Sequence, residues 1–216
     1  MPDLVYAVHN VVHRYRTPSG EVTAVQDVTL DIPGGGLTVL AGPSGSGKST
    51  LLRVLGILER PTGGTVSLYG KETVDLGERR RRALRRSLHL VFQNPVDNLF
   101  TYLDVRDNLR AAAQLAGAPE PDMDLLDRLG LPGTANWPIS ALSGGQQQRL
   151  AFVTALAART KVVLADEPTS QLDTASAGLV IETMLDLVRL GVTVVAASHD
   201  DAVLDVADQI HRLGDR

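Results

Sequence analysis

The chain of 216 residues contains no cysteine. A disulfide framework, a thiol nucleophile and a cysteine-ligated metal site are therefore excluded. Lysine is also scarce, because 18 of the 21 basic residues are arginines and only Lys48, Lys71 and Lys161 are lysines. A lysine that falls inside a motif stands out against this background.

Long apolar runs are absent as well. No segment reaches the roughly 18 apolar residues that a membrane-spanning helix needs. Residues 1–10 carry Asp3 and lack a basic flank followed by an apolar run, so they do not indicate a secretory signal. We expect a cytoplasmic protein that reaches the inner face of the cell membrane through a partner. Because three residues follow Leu213, we expect no appended regulatory domain.

An excess of positive charge is missing too. The 21 basic and 25 acidic residues give a formal net charge of −4, which argues against a general nucleic-acid binder. Hydrophobic residues make up 44% and charged residues 21%, as is typical of globular proteins. With no internal repeat and no low-complexity linker, the length predicts one domain, into which a lobe can be inserted.

Hydrophobic patterns predict strands and helices in alternation. The strand patterns cover residues 4–15, 22–32, 37–41, 65–69, 88–92, 162–165, 192–197 and 210–213. The helical patterns cover residues 47–58, 76–87, 105–115, 123–129, 145–158, 174–189 and 200–208. This order predicts an α/β fold with a mainly parallel sheet, and the two early strands predict an antiparallel flank at the N-terminus. We predict one domain over residues 1–216, with a core at about 1–93 and 159–216 and an inserted helical subdomain at about 94–158.

Residues 42–49 read GPSGSGKS and fit the phosphate-loop pattern G-x-x-x-x-G-K-[ST]. Glycines let the backbone wrap phosphates closely, and N–H groups at the start of the following helix point inward. Lys48 supplies a positive charge for the β- and γ-phosphates, and the Ser49 hydroxyl suits Mg²⁺. A flexible glycine and serine turn is the alternative interpretation. The residues predicted to bind nucleotide are Gly42, Pro43, Ser44, Gly45, Ser46, Gly47, Lys48, Ser49 and Thr50.

Two carboxylates follow the apolar strand at residues 162–165. A buried parallel strand brings its C-terminal residues to the ligand-binding edge of a sheet. Asp166 can then hold Mg²⁺ through water, and Glu167 can polarise the attacking water as a general base. Taken alone, the pair also fits a strand end followed by a solvated acidic turn at Pro168. Beside a phosphate loop, it predicts phosphate chemistry.

The segment LSGGQ at residues 142–146 opens the predicted helix at 145–158. Ser143 is a favourable N-cap residue, and the two glycines expose backbone N–H groups. The segment therefore predicts a second anion-binding helix start, although an ordinary capped helix is the alternative when it is taken alone.

With this segment the sequence resembles the ATP-binding cassette (ABC) ATPases, because LSGGQ is similar to their signature motif. Other motifs of the family occur along the chain in the expected order. Gln93 resembles the Q-loop glutamine, Asp173 the D-loop aspartate and His199 the switch histidine. Tyr15 is placed like the aromatic residue that stacks on adenine. The chain looks closest to the cassettes of lipoprotein-release and macrolide-export systems.

The resemblance implies an ATPase with a RecA-like P-loop NTPase core and with ATP and Mg²⁺ as cofactors. The catalytic residues that it implies are Lys48, Glu167 and His199. The Mg²⁺ ligands that it implies are Ser49, Gln93 and Asp166. Two cassettes, identical or different, are expected to pair head to tail around two ATP molecules. Each ATP would then also contact the other subunit's Ser143, Gly144, Gly145 and Gln146, and Asp173 would link the two sites.

The resemblance further implies a separate integral-membrane permease that docks near Gln93 and the helical subdomain. A non-transport cassette is the alternative, acting as an ATP-switched scaffold in a cell-division type complex or on nucleic acid. Residues 78–87, with six arginines and one glutamate, are the only local feature that favours an anionic partner. We interpret this run as a solvated helix face and do not expect a nucleic-acid partner.

Overall fold

The computed structural model describes residues 3–214, whose strands form two sheets. The strands are β1 (Leu4–Thr17), β2 (Gly20–Pro33), β3 (Leu37–Ala41), β4 (Gly63–Leu68), β5 (Lys71–Glu72), β6 (Leu88–Val91), β7 (Val162–Asp166), β8 (Thr193–Ala197) and β9 (Gln209–Arg212). The helices are α1 (Lys48–Leu55), α2 (Glu78–Arg85), α3 (Val105–Ala116), α4 (Asp124–Arg128), α5 (Gly144–Ala157), α6 (Thr174–Arg189) and α7 (Asp201–Leu204). Two short 3₁₀ helices cover Pro95–Asn98 and Ile139–Ala141.

The first sheet is antiparallel, with the strand order β2-β1-β4-β5. Its inner face packs on α1 through buried side chains such as Tyr6, Val8 and Ile32. This sheet is the antiparallel flank that the sequence predicts, but it is larger. The strand expected at residues 65–69 joins it as β4, and the two-residue strand β5 was not predicted.

The second sheet is parallel throughout, with the order β6-β7-β8-β3-β9. Every residue of β3 and β8 is buried, as expected for a sheet covered on both faces. Neighbouring parallel strands end at the same edge of a sheet. The segments that follow β6, β7, β8 and β3 are therefore side by side, and these segments carry Gln93, Glu167, His199 and the phosphate loop.

Several predicted helices are shorter than expected, and long-range contacts explain the differences at α1 and α7. The helix expected at 47–58 ends at Leu55, because Ile57 adopts a left-handed φ of 58° and its carbonyl accepts hydrogen bonds from Arg81 and Arg85. Leu58, an apolar residue at the end of the predicted helix, is consequently 44% exposed. The helix expected at 200–208 is reduced to α7.

The shortening of this last helix follows from a contact with the start of β3. The Asp208 carboxylate accepts a hydrogen bond of 2.7 Å from the Leu37 backbone N–H. The Asp208 backbone N–H in turn donates to the Leu37 carbonyl at 2.9 Å, so it is not available for a helical bond to Leu204. These bonds tie the segment before β9 to the parallel sheet in place of a longer helix. A local hydrophobic pattern carries no information about such a contact.

Within residues 3–214, the stretch from 94 to 158 contains α3, α4, α5 and both 3₁₀ helices but no strand. Helix α5 packs on both α3 and α6, and one hydrophobic cluster runs from this stretch to one face of the parallel sheet. The boundaries of a separate helical subdomain stay a prediction. In the part of the chain described, no helix is both long and apolar enough to cross a bilayer.

The arginine run lies on α2 and does not form a uniformly solvated face. Arg79 and Arg80 are exposed as predicted, but the prediction is wrong for Arg81, which is only 4% exposed and donates to the Ile57 carbonyl at 2.8 Å. Other members of the run line a groove of about 420 Å³ between α2, α3 and α5. Its lining includes Arg82, Arg85, Arg86, His89, Leu115 and Thr154.

Candidate active site

A cavity of about 330 Å³ opens at the C-terminal edge of the parallel sheet. It is lined by Ala24, Ser44, Gly45, Gly47, Lys48, Ser49, Thr50, Gln93, Glu167, Ser170 and His199. The fold therefore brings most of the phosphate loop together with three residues that the sequence singled out far from it. Asp166 joins them through a hydrogen bond to Ser49.

The phosphate loop connects β3 to α1 and depends on glycine at two points of close approach. Gly47 has a φ of 91°, and an added Cβ there would stand 2.0 Å from the Ala24 carbonyl oxygen. Gly42 has a φ of 148°, and its added Cβ would stand 2.4 Å from the Leu213 carbonyl oxygen. Among the residues that the structure describes, no side chain caps the start of α1. A helix start of this kind presents backbone N–H groups to an anion.

Lys48 is 5% exposed and its ammonium group bends back over the loop. Nζ donates to the carbonyl oxygens of Gly42 at 2.8 Å and Pro43 at 3.1 Å, and it lies 3.4 Å from Glu167 Oε1. The ammonium is thus paired with a carboxylate and held at the mouth of the loop. It is available to exchange these partners for phosphate oxygens.

Ser49 and Asp166 place two oxygen donors together beside the loop. The Ser49 hydroxyl donates to Asp166 Oδ1 at 2.8 Å. Burial raises the pKa of the Asp166 carboxyl above its ordinary value; the hydrogen bond from Ser49 opposes this shift, and the charge of Glu167 adds to it. Within residues 3–214, no three His, Asp or Glu side chains gather into a metal cage. This donor set fits Mg²⁺, which usually takes one or two protein oxygens and fills its shell with phosphate oxygens and water.

Glu167 and His199 are in direct contact although 32 residues separate them. His199 Nδ1 lies 3.0 Å from Glu167 Oε2 and 3.1 Å from Oε1. The Glu167 side chain is 15% exposed, whereas that of His199 is 65% exposed and faces the cavity. Glu167 adopts a left-handed φ of 46°, which is uncommon for a residue other than glycine. Residues with such backbone conformations are often found at functional sites. Its N–H donates to the Ala197 carbonyl at 2.9 Å, which fixes this turn at the end of β8.

Gln93 reaches the same turn through Ser170, which begins the segment that resembles the D-loop but was not predicted as a site residue. Gln93 Nε2 donates to Ser170 Oγ at 3.1 Å, and Ser170 Oγ donates to the Glu167 carbonyl at 2.9 Å. Ser170 therefore joins Gln93 to the catalytic segment. No local pattern could have found this bond, because its two partners are 77 residues apart.

Tyr15 lies on β1 next to the phosphate loop. Its hydroxyl donates to Glu59 Oε2 at 2.6 Å and lies 3.4 Å from the Thr50 hydroxyl. Glu59 is a second residue that the sequence analysis missed. The contact of Tyr15 with adenine stays a prediction.

The signature residues and Asp173 lie outside this cavity and act at helix starts. Ser143 Oγ accepts from the Gln146 N–H at 3.3 Å, and Gln146 Oε1 accepts from the Ser143 N–H at 2.8 Å, which makes a capping box on α5. Asp173 caps α6, and the hydrogen bonds from Ser176 lower the pKa of its carboxyl. Among the described residues, none of these lines the cavity at the phosphate loop.

Comparison with known proteins supports the resemblance that the motifs indicate. Residues 25–170 match the family model described as ABC transporter. The probable export ATP-binding/permease protein MacB of Pseudomonas entomophila is 41% identical over 211 residues, which are 95% of this chain and 31% of that protein. The methionine import ATP-binding protein MetN 2 of Bacillus licheniformis is 38% identical over 203 residues, which are 91% of this chain and 59% of that protein. The chain thus spans about a third of the export relative and under two thirds of the import relative.

Solved structures of similar fold come from the same family. The dimeric ATP-binding cassette MJ0796, in a post-hydrolysis state bound to ADP and Pi, superposes with a TM-score of 0.84 and 32% identity and covers 97% of this chain and 94% of its own. The cbiO1 protein of Clostridium perfringens, part of the ABC transporter complex cbiONQ, gives a TM-score of 0.86 and 28% identity and covers 98% of this chain and 85% of its own. These matches confirm the predicted fold class, and the MacB relatives agree with the macrolide-export resemblance. The chain belongs to the ABC transporter family and has the fold of its ATP-binding cassettes.

Proposed function

We propose that the chain binds and hydrolyses ATP as the nucleotide-binding part of an ABC transporter. The observation that carries the proposal is the convergence of Lys48, Ser49, Asp166, Glu167 and His199 at one edge of the parallel sheet. The names of the relatives, which are export and import proteins, favour transport over the scaffold alternative. The ADP and Pi of the MJ0796 structure favour hydrolysis as the reaction.

In this proposal the residues of the cavity divide the chemistry between them. The N–H groups of the loop and Lys48 hold the β- and γ-phosphates, with Lys48 leaving the carbonyls of Gly42 and Pro43. Mg²⁺, held through Ser49, Asp166 and Gln93, supplies neutralising charge to these phosphates when it is bound. Glu167 accepts a proton from the attacking water, and His199 orients Glu167 and contacts the γ-phosphate.

The site is proposed to be completed by a second cassette, identical or different. Ser143, Gly144, Gly145 and Gln146 would bind the ATP held by the partner's phosphate loop, and Asp173 would connect the two sites. Two observations support this arrangement. The signature residues form a helix start that lies outside the chain's own cavity, and the MJ0796 cassette is dimeric.

We also propose a membrane-bound permease as the partner that makes use of hydrolysis, which would hold the cassette at the inner face of the cell membrane. Its docking site in this proposal is the groove of about 420 Å³ between α2 and the helical stretch at 94–158. This stretch is the predicted helical subdomain, and the predicted RecA-like core comprises residues 1–93 and 159–216. Arg82, Arg85 and Arg86 give the groove a positive wall, which favours a permease helix that carries carboxylates.

The test of the proposed reaction replaces the general base. The Glu167→Gln protein should release phosphate at least a hundredfold more slowly than wild type, because a positioned base contributes roughly 10²–10⁴-fold. It should still bind ATP and should accumulate as an ATP-bound dimer on size exclusion. Glu72→Gln, at an exposed position of β5, is the matched control. Hydrolysis at the wild-type rate by Glu167→Gln would reject the base assignment, and a wild-type protein that binds no ATP would reject the proposed function.

A further inference from the structure

The hydroxyl of Tyr15 is held in one place by a carboxylate. It donates to Glu59 Oε2 at 2.6 Å, and the Tyr15 ring meets the His13 ring edge-on, with 4.7 Å between their centroids. Burial raises the pKa of Tyr15, and the hydrogen bond to Glu59 adds to the shift, so the hydroxyl keeps its proton and remains the donor at neutral pH. The side chain of Tyr15 is therefore fixed at both its edge and its tip.

Glu59 is the centre of this arrangement and is itself anchored. His13 Nε2 lies 3.1 Å from the same Oε2, and an Arg53 guanidinium nitrogen lies 3.6 Å from Oε1. Glu59 stands four residues after the end of α1, in a turn whose Ile57 carbonyl accepts from Arg81 and Arg85. The His13 and Glu59 side chains are only 9% and 25% exposed. Glu59 thus connects β1, which carries Tyr15, to the helix that starts in the phosphate loop.

We propose that Glu59 is a positioning residue that holds the Tyr15 ring ready for the adenine base. This inference rests on the proposed function, in which Tyr15 stacks on the base. A ring that is already immobile does not lose rotational freedom when the nucleotide binds, so part of the cost of binding is met before the ligand arrives. Among the described residues, Glu59 is not part of the lining of the cavity at the phosphate loop, so its effect should appear in the affinity for the base alone.

The experiment separates the base from the triphosphate. Dissociation constants of ATP and of inorganic tripolyphosphate, both with Mg²⁺, are measured for wild type, Tyr15→Phe, Glu59→Met and the double variant. Phenylalanine keeps the ring and removes the hydroxyl, and methionine keeps the length of Glu59 and removes its acceptors. Each single variant should bind ATP roughly three- to tenfold more weakly and tripolyphosphate as wild type does. The loss of ATP affinity in the double variant should be clearly smaller than the sum of the two single losses, because both single variants remove the bond between Tyr15 and Glu59.

The control is Glu21→Gln, which removes a carboxylate that pairs with Arg16 at 3.8 Å on the exposed part of the same sheet. Equal weakening for ATP and tripolyphosphate would mean that Glu59 supports the phosphate loop, and additive effects would mean that it acts apart from Tyr15. Either result overturns the inference. Unchanged ATP affinity in Tyr15→Phe also overturns it, and this measurement is sufficient on its own if the Glu59→Met protein does not fold. Unchanged ATP affinity in Tyr15→Ala would instead remove Tyr15 from the proposed base site.

Discussion

His89 is a half-buried histidine whose protonation is suppressed by its surroundings. It lies on β6 at the lining of the groove, with Nε2 3.2 Å from the Thr154 hydroxyl. Burial lowers its pKa to about 4, and a hydrogen bond to the Ala151 backbone only partly offsets this. The folded protein consequently holds His89 neutral at pH values where the unfolded chain would protonate it.

This shift makes stability depend on pH in one direction. The unfolded state binds the proton near pH 6.5 and the folded state only near pH 4, so the stabilisation is complete above pH 6.5 and is lost as the pH falls towards 4. Between pH 7 and pH 5 the His89 contribution to the free energy of unfolding should fall by about 1–2 kcal/mol. Urea unfolding of wild type and of His89→Gln at both pH values measures it. If the glutamine variant loses as much stability on acidification as wild type, the loss arises from other groups.

At the scale of the helix, the signature segment stabilises the start of α5 within the single cassette. Ser143 and Gln146 close the first turn of α5, and Gly145 lies against α6. A Cβ added at Gly145 would stand 2.9 Å from Ser176 Cβ, whereas one added at Gly144 would approach nothing closer than Leu172 Cδ2 at 3.8 Å. The two glycines therefore differ in the isolated cassette, although they are neighbours in one motif.

This difference predicts unequal stability losses in two matched variants. Gly145→Ala should lower the free energy of unfolding by about 1–3 kcal/mol, because the methyl group overpacks the contact with α6. Gly144→Ala should leave it nearly unchanged, since the added methyl group makes no close contact. Urea midpoints of the monomers give both values. Adding Ser176→Gly to Gly145→Ala should recover part of the loss, and equal losses for the two alanine variants would contradict the steric explanation.

The sequence predicts the elements well where the determinants are local. Helix α6 was predicted over the residues that form it, and β3 and β7 were predicted within one residue, because apolar runs and turn residues mark their limits. Prediction failed where a distant partner decides the conformation, as for Leu58 after the Ile57 turn. The site shows the same division: the motifs identify Lys48 and Glu167, but the positions of Ser170 and Glu59 depend on partners 77 and 44 residues away.

At the scale of the whole molecule, the arginines of α2 serve two purposes. Arg81 and Arg85 fix the turn after α1 through the Ile57 carbonyl, and Glu78 pairs with both of them and with Arg82. Arg86 has no ion pair among residues 3–214 and lines the groove, as Arg82 does. A formal net charge of −4 therefore conceals a positive groove wall beside the apolar surface of α3. In the proposed docking, such a wall would favour a partner with carboxylates and would steer its approach.

Charge reversal in the groove should consequently separate docking from nucleotide binding. Arg82→Glu with Arg86→Glu should reduce recovery of a polytopic membrane protein with the tagged cassette from detergent-solubilised membranes by tenfold or more, since like charges across an interface cost several kcal/mol. Arg79→Glu with Arg80→Glu changes the net charge equally on the same helix but outside the groove, and it should retain the partner. ATP affinity should be unchanged in both proteins, because neither pair lines the phosphate cavity. Equal loss of the partner in both proteins would show that overall charge, and not this groove, governs the association.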